Sequence, residues 1–251
     1  MRIQAGWAKG TELAVPKGEL TRPTAAKVRA AAINMLAPYM ADGPFLDLCA
    51  GSGAMGLEAV SRGATGAAFI ELSRAALACL RSNAAEVSRR AQAQAMPQPE
   101  FLVIAGELPQ VLSRLKRSPL TPFATVFIDP PYEQPDEFEQ VARALRASHS
   151  RWRNGLYLVW YPIKTRRPVE KLHEVVRALG AEALAVELLM LPEDVPQRLN
   201  GSGVILINPP WKLEGTLRAL LPPLATFLAG PDGQPQARFV NLSAGRNPKV
   251  S

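Results

Sequence analysis

Cysteine and histidine are almost missing from this chain. Cys49, Cys79, His149 and His173 are all that occur among 251 residues. Two thiols cannot build a disulfide framework and their spacing fits no zinc site, so they are read as buried free thiols. Two isolated histidines leave a metal centre or a histidine-activated nucleophile without its components. No metal is expected. Long apolar runs are missing too: none approaches the roughly 18 residues of a membrane span. The start, Met1 to Trp7, has no apolar signal core. A cytoplasmic protein without a membrane partner is the expectation.

What is present is a globular composition, 47% hydrophobic, with a net charge of +7. A chain of this length can bury a full core as one large domain or two small ones. The positive charge recurs in clusters: Arg89-Arg90, Arg114 to Arg117, Arg143 to Arg153, and Lys164, Arg166 and Arg167. Phosphate contacts supply much of nucleic-acid affinity, so this balance points to a polyanionic partner.

Short apolar runs alternate with helical stretches, as in an α/β protein. Residues 1–20 read as a hairpin turning near Lys9-Gly10, and 24–36 as a helix with Thr24 as its N-cap. Strands are expected at about 45–49, 67–71, 101–105, 124–128, 155–161, 182–190 and 203–207. Helices are expected at 54–63, 73–90, 107–115, 136–147, 165–179 and 212–228. This gives one doubly wound, seven-stranded sheet over 41–229, a hairpin and helix extension over 1–40, and a flexible Pro/Gly/Asn-rich tail over 230–251.

Two motifs carry chemistry. The first is Asp129-Pro130-Pro131-Tyr132, directly after the apolar run Ala124 to Ile128. An exocyclic ring amine is a poor nucleophile because its lone pair is delocalised. The Asp129 carboxylate and the Pro130 carbonyl can each accept one amine N–H, pulling the nitrogen toward tetrahedral geometry. Pro131 stiffens the turn, and Tyr132 offers a face on which a base could stack.

The second motif is Gly51-Ser52-Gly53-Ala54-Met55-Gly56, which opens from the run Phe45 to Cys49. It satisfies G-x-G-x-x-G, with Glu71 twenty residues on to accept ribose hydroxyls. A nicotinamide dinucleotide would suit the same geometry. Asp47, inside the preceding strand, could help hold a methionine ammonium. The Asp129 turn has no role in hydride transfer. Both favour S-adenosylmethionine, held by Asp47, Ala50, Gly51, Gly53, Glu71 and Leu72.

These residues bring the chain to a resemblance with the class I S-adenosylmethionine-dependent amino-methyltransferases. Arg2 to Gly10, Thr21 to Arg29, Phe45 to Ala59 and Asp129 to Tyr132 resemble the RsmD-type family, which methylates guanine N2 in small-subunit ribosomal RNA. Asp129 to Glu133, Leu158 to Pro162 and Gly203 to Glu214 are similar to the RlmJ-type family, which methylates adenine N6 in large-subunit ribosomal RNA. The resemblance implies a Rossmann-like sheet of strand order 3-2-1-4-5-7-6 with the seventh strand antiparallel. It also implies that Gly106 and Glu107, after the third strand, lie against the cofactor adenine. Arg22, Thr24, Lys27 and Arg29 would lie over the cleft, with Lys164, Arg166 and Arg167 contacting phosphates. A target base inside paired RNA must be flipped out.

The expected activity is therefore methylation of a ribosomal RNA base amine, on naked RNA or a pre-ribosomal particle. Guanine N2 of the small subunit comes first and adenine N6 of the large subunit second. A non-catalytic RNA-binding or ribosome-assembly protein, and a DNA amino-methyltransferase, are the rivals. A second Pro-Pro motif, Asn208-Pro209-Pro210-Trp211, is expected to shape the start of the last helix rather than to catalyse.

Overall fold

Phe45-Leu46-Asp47 is only three residues long, yet each is buried, as a central parallel strand requires. This strand, β1, belongs to a computed structural model that describes residues 1–16, 34, 38–39, 43–107, 110–111, 115, 123–192, 195, 198–228 and 235–243. Contacts divide the chain into two compact units, Met1–Phe127 and Ile128–Ser251.

In the first unit β1 pairs in parallel with β2 (Gly66–Glu71), and β2 with β3 (Glu100–Ala105). On its other side β1 pairs in parallel with β4 (Thr125–Ile128), within which the division falls. The order β3-β2-β1-β4 is the one expected. Helix α1 (Ala54–Ser61) follows β1, and α2 (Arg74–Ala93) follows β2. Ser73 caps α2 by accepting the Ala76 amide. Of the helix expected over 107–115 only a few residues are described, and the helix expected over 24–36 lies almost wholly outside them.

The N-terminal hairpin is part of this unit. Ile3 and Thr11 pair, and Leu13 donates to the Met1 carbonyl. It is held to α1 by polar side chains rather than by apolar area alone. The Glu58 carboxylate accepts the amides of Gln4 and Ala5 at 2.7 and 3.0 Å, and the Ser61 hydroxyl donates to the Ala5 carbonyl.

In the second unit the order is β5 (Leu156–Ile163), β7 (Gly201–Ile207), β6 (Ala183–Leu189), β8 (Gln236–Asn241). Strand β7 is antiparallel to both neighbours, as the resemblance implied, and β8 is antiparallel to β6. Helices α3 (Glu137–His149), α4 (Arg166–Ala178) and α5 (Leu213–Leu228) complete it. Strand β8 corrects the sequence reading: part of the expected tail, Gln236–Asn241, pairs with β6 over six residues. A Pro/Gly/Asn-rich composition hid it, because an edge strand needs only one partner and little apolar character. With β8 the described residues hold eight strands, not seven.

A polar row crosses the middle of this unit. Tyr161, Gly203, Glu187 and Arg238 stand in register on β5, β7, β6 and β8. A Cβ on Gly203 would lie 2.2 Å from the Tyr161 ring, so only glycine lets that ring pass over β7. The Tyr161 hydroxyl reaches the fully buried Glu187 carboxylate at 2.9 Å. Arg166 grips the same carboxylate with two hydrogen bonds, 2.7 and 2.8 Å long. A buried charge survives only when paired and hydrogen-bonded in this way.

Candidate functional site

The cofactor-directed residues gather in the first unit at the carboxyl ends of its parallel strands. Ligands of open α/β sheets bind at that edge. Asp47 ends β1, only 1% exposed, with its Oδ1 accepting the Cys49 amide. The chain then turns through Ala50, whose amide bonds the Ile70 carbonyl, and Gly53, whose amide returns to Ala50. Gly53 has φ +84°, and a Cβ there would lie 2.3 Å from Leu80. Glycine is needed for both reasons. The turn delivers the free N–H groups of the α1 N-terminus, where Gly53 provides no side-chain cap.

Glu71, at the end of β2, organises this edge. Its Oε2 accepts the Gly51 amide at 2.6 Å, and its Oε1 accepts the amides of Leu72 and Ser73 at 2.9 and 2.7 Å. Its backbone carbonyl takes the Gly106 amide at 3.1 Å, joining the end of β3 to the same place. A carboxylate offers about four lone-pair sites. Three are filled by backbone, so one ribose hydroxyl fits as the group stands. Accepting the second, as the sequence reading expected, requires one of the three amides to let go. Leu72 is 61% exposed beside this carboxylate and offers an apolar surface, and the Glu107 side chain is exposed.

Sequence reasoning missed Asn83. This buried residue of α2 donates to the Ser52 and Ala14 carbonyls, both at 2.9 Å, and accepts the Ala14 amide at 2.8 Å. It fixes the glycine turn and the end of the hairpin together. A lone Asn in an amphipathic helix carries no signal of this; only the pairing of the hairpin could have suggested it.

The Asp129 turn begins the second unit. Asp129 is half-buried and Pro130 buried. Tyr132 corrects an expectation. It has φ +53°, a backbone state costly for a bulky residue, and its ring is only 6% exposed. Its hydroxyl donates to the Trp160 carbonyl at 2.7 Å, and its ring meets Phe138 and Trp160 at centroid distances of 4.9 and 5.7 Å. The ring is a bolt that fastens the turn to β5 rather than an open plate. Glu137 closes the turn from below by accepting the Gln134 amide at 2.9 Å.

The phosphate-directed residues separate. Lys164 and Arg167 are exposed, whereas Arg166 is committed to Glu187 and is no free phosphate ligand. Burial was invisible in the cluster Lys164 to Arg167, because adjacent residues at a helix start face different ways. Arg22, Thr24, Lys27 and Arg29 lie outside the described residues. Asn208 does not cap the last helix: its Nδ2 donates to the carbonyls of Arg153 and Gly155 at 2.6 and 2.9 Å. With φ +55° it clips the loop before β5.

No group of residues able to hold a metal occurs among the described residues, and none of their helices is long and apolar enough to cross a membrane. A family model described as Conserved hypothetical protein 95 matches residues 1–177. The chain belongs to this family. It is 33% identical over 110 residues to ribosomal RNA large subunit methyltransferase J of Escherichia coli, covering 43% of this chain and 39% of that one. It is 38% identical over 138 residues to ribosomal RNA small subunit methyltransferase D of the same organism, covering 53% and 61%. The matched stretch thus spans less than two thirds of either relative. The solved structure of yhhF from Escherichia coli superposes with a TM-score of 0.52 at 27% identity, covering 82% of this chain and 96% of that one. The architecture is the α/β Rossmann-like fold of methyltransferases.

Proposed function

We propose that this protein transfers a methyl group from S-adenosylmethionine to an exocyclic amine of a ribosomal RNA base, guanine N2 of the small subunit. The observation that carries the reading is the Asp129-Pro130-Pro131-Tyr132 turn, held by the Tyr132–Trp160 bond, in a chain whose Gly51 turn is tied to Glu71 at the carboxyl edge of its parallel strands. The cofactor supplies an electrophilic methyl group. Gly51 has φ +53° with nothing within 4 Å of a Cβ position, which leaves the backbone open to a ligand. The α1 N-terminus would face the cofactor's methionine end with Asp47, and Glu71 its ribose. Leu72, Gly106 and Glu107 would border its adenine.

Asp129 and the Pro130 carbonyl would each accept an amine hydrogen, so that the nitrogen lone pair is aimed at the methyl carbon. This is positioning and electrostatics, without a covalent enzyme intermediate. Exposed Lys164 and Arg167, with Arg22, Thr24, Lys27 and Arg29, would contact the RNA. Naked RNA or a pre-ribosomal particle would be the partner, and the cytoplasm the place of work.

Adenine N6 of large-subunit RNA is the second reading. It is supported by the words Leu158 to Pro162 and Gly203 to Glu214, and by the match to methyltransferase J. Tritium transfer from labelled cofactor to each ribosomal RNA, followed by nucleoside analysis, tests both. N2-methylguanosine in small-subunit RNA is the expected product. N6-methyladenosine in large-subunit RNA selects the second reading, and no transfer to any RNA leaves a non-catalytic RNA-binding protein.

A further inference from the structure

Trp211 is 89% exposed. Burying a large apolar side chain is worth roughly 1.5–3 kcal/mol, so a tryptophan left in water contributes little to folding. It is nonetheless held on a stiff stalk. Pro209 and Pro210 precede it, Asn208 is clipped to the Arg153 and Gly155 carbonyls, and the Asn208 amide donates to the Glu182 carbonyl at 2.8 Å. The Lys212 ammonium sits 5.7 Å from the Trp211 ring centroid. The clip brings the loop of Arg151 and Arg153 to the base of the same stalk. Neither Arg153 nor Lys212 has an ion-pair partner among the described residues. Of the carboxylates near the stalk, Glu214 is engaged by Arg218 at 2.8 Å, and Glu182 is exposed.

We propose that Trp211, Lys212 and Arg153 form a nucleotide-binding platform for an unpaired stretch of the RNA substrate, separate from the Asp129 turn. An exposed indole accepts any base by stacking, and unpaired cations beside it meet the flanking phosphates. The platform lies at the amino end of β5 and the carboxyl end of β7, whereas the Asp129 turn bonds Trp160 near the middle of β5. It would hold RNA at a distance from the reacting base and so act on affinity rather than on the methyl-transfer step. The charge argues for RNA over a protein partner. An apolar partner would instead be drawn to Leu220, Leu224 and Phe227, exposed further along α5. The inference rests on the RNA reading above.

The test is binding of a fluorescein-labelled, unstructured oligouridine, read by anisotropy across a salt series. Trp211→Ala should weaken binding about tenfold, the size of one lost stacking contact, whereas Trp211→Phe should keep most of it. Arg153→Ala with Lys212→Ala should make the log–log salt slope shallower by about 1.4, two phosphates' worth for single strands. Thermal melts of all variants should coincide, because these side chains are exposed. Unchanged affinity in both Trp211→Ala and the double variant overturns the platform while leaving the RNA reading standing. A wild-type protein that binds no RNA overturns both. A Trp211→Ala protein with altered sedimentation and unaltered RNA binding makes the patch a self-association face and also overturns the proposal.

Discussion

The Gly51 amide donates to Oε2 of Glu71 at 2.6 Å, tying the glycine turn to the end of the neighbouring strand across twenty residues of sequence. Two further amides, of Leu72 and Ser73, share the carboxylate. Glu71→Ala should therefore act twice. It should weaken S-adenosylmethionine and its demethylated product by at least tenfold in calorimetry, since a bond to a charged group is worth roughly 1.5–3 kcal/mol. It should also lower the melting temperature without ligand, because three amides lose their acceptor. Tight binding of NAD with none of S-adenosylmethionine would end the cofactor assignment.

Asp129→Ala should leave cofactor affinity and melting nearly unchanged and cost orders of magnitude in methyl transfer. Lost positioning and lost transition-state hydrogen bonds act together there. Asp129→Asn should retain more, since its amide oxygen still accepts one amine hydrogen. Rates at saturating cofactor decide the matter, and full activity in the alanine variant would remove the site from this turn.

Arg166 and Arg167 are adjacent but should fail differently. Arg166→Ala leaves the buried Glu187 carboxylate with the Tyr161 hydroxyl and, as a cation, the more distant Arg238, 3.7 Å from Oε2, and should destabilise the protein by about 3 kcal/mol. Arg167→Ala should leave the melt unchanged and make the salt slope of RNA binding shallower by about 0.7. Equal melts for the two variants would refute the division of roles.

Asn208→Ala should lower stability by about 1–3 kcal/mol, because the Arg153 carbonyl and the part-buried Gly155 carbonyl lose their donor and a left-handed backbone passes to a residue that favours it less. Methyl transfer by the folded fraction should persist. Selective loss of transfer in a fully folded Asn208→Ala protein would move the chemistry to the second Pro-Pro motif.

Stability should fall on acidification through His173. Burial lowers its pKa to about 4, against the opposing pull of Glu187. The unfolded chain binds the proton near pH 6.5, so stability is full above that pH and declines as pH falls toward 4. The loss amounts to roughly 3 kcal/mol. Denaturant melts of wild type and His173→Gln between pH 7.5 and about 4.5 measure it. A decline of the same size in the variant would assign the effect to other groups.

Much of this protein is written locally. Alternating apolar runs and helical periods dictate the α/β class, and strands buried on both faces read as short apolar words such as Phe45-Leu46 and Val126 to Ile128. Gly53 and the Pro130-Pro131 pair declare their turns because backbone torsion depends on the residue itself. The reach of a polar side chain is another matter. Arg166, Tyr132, Asn83 and Asn208 each acquired their role from a partner 21 to 55 residues away or more, Asn83 from Ala14 at 69. Strand β8 likewise exists through β6, since an edge strand's stability lies in the ladder it joins. Which charges are buried and paired, and which remain in water, was decided only when the strands aligned, because the cost of desolvating a charge is set by neighbours in space.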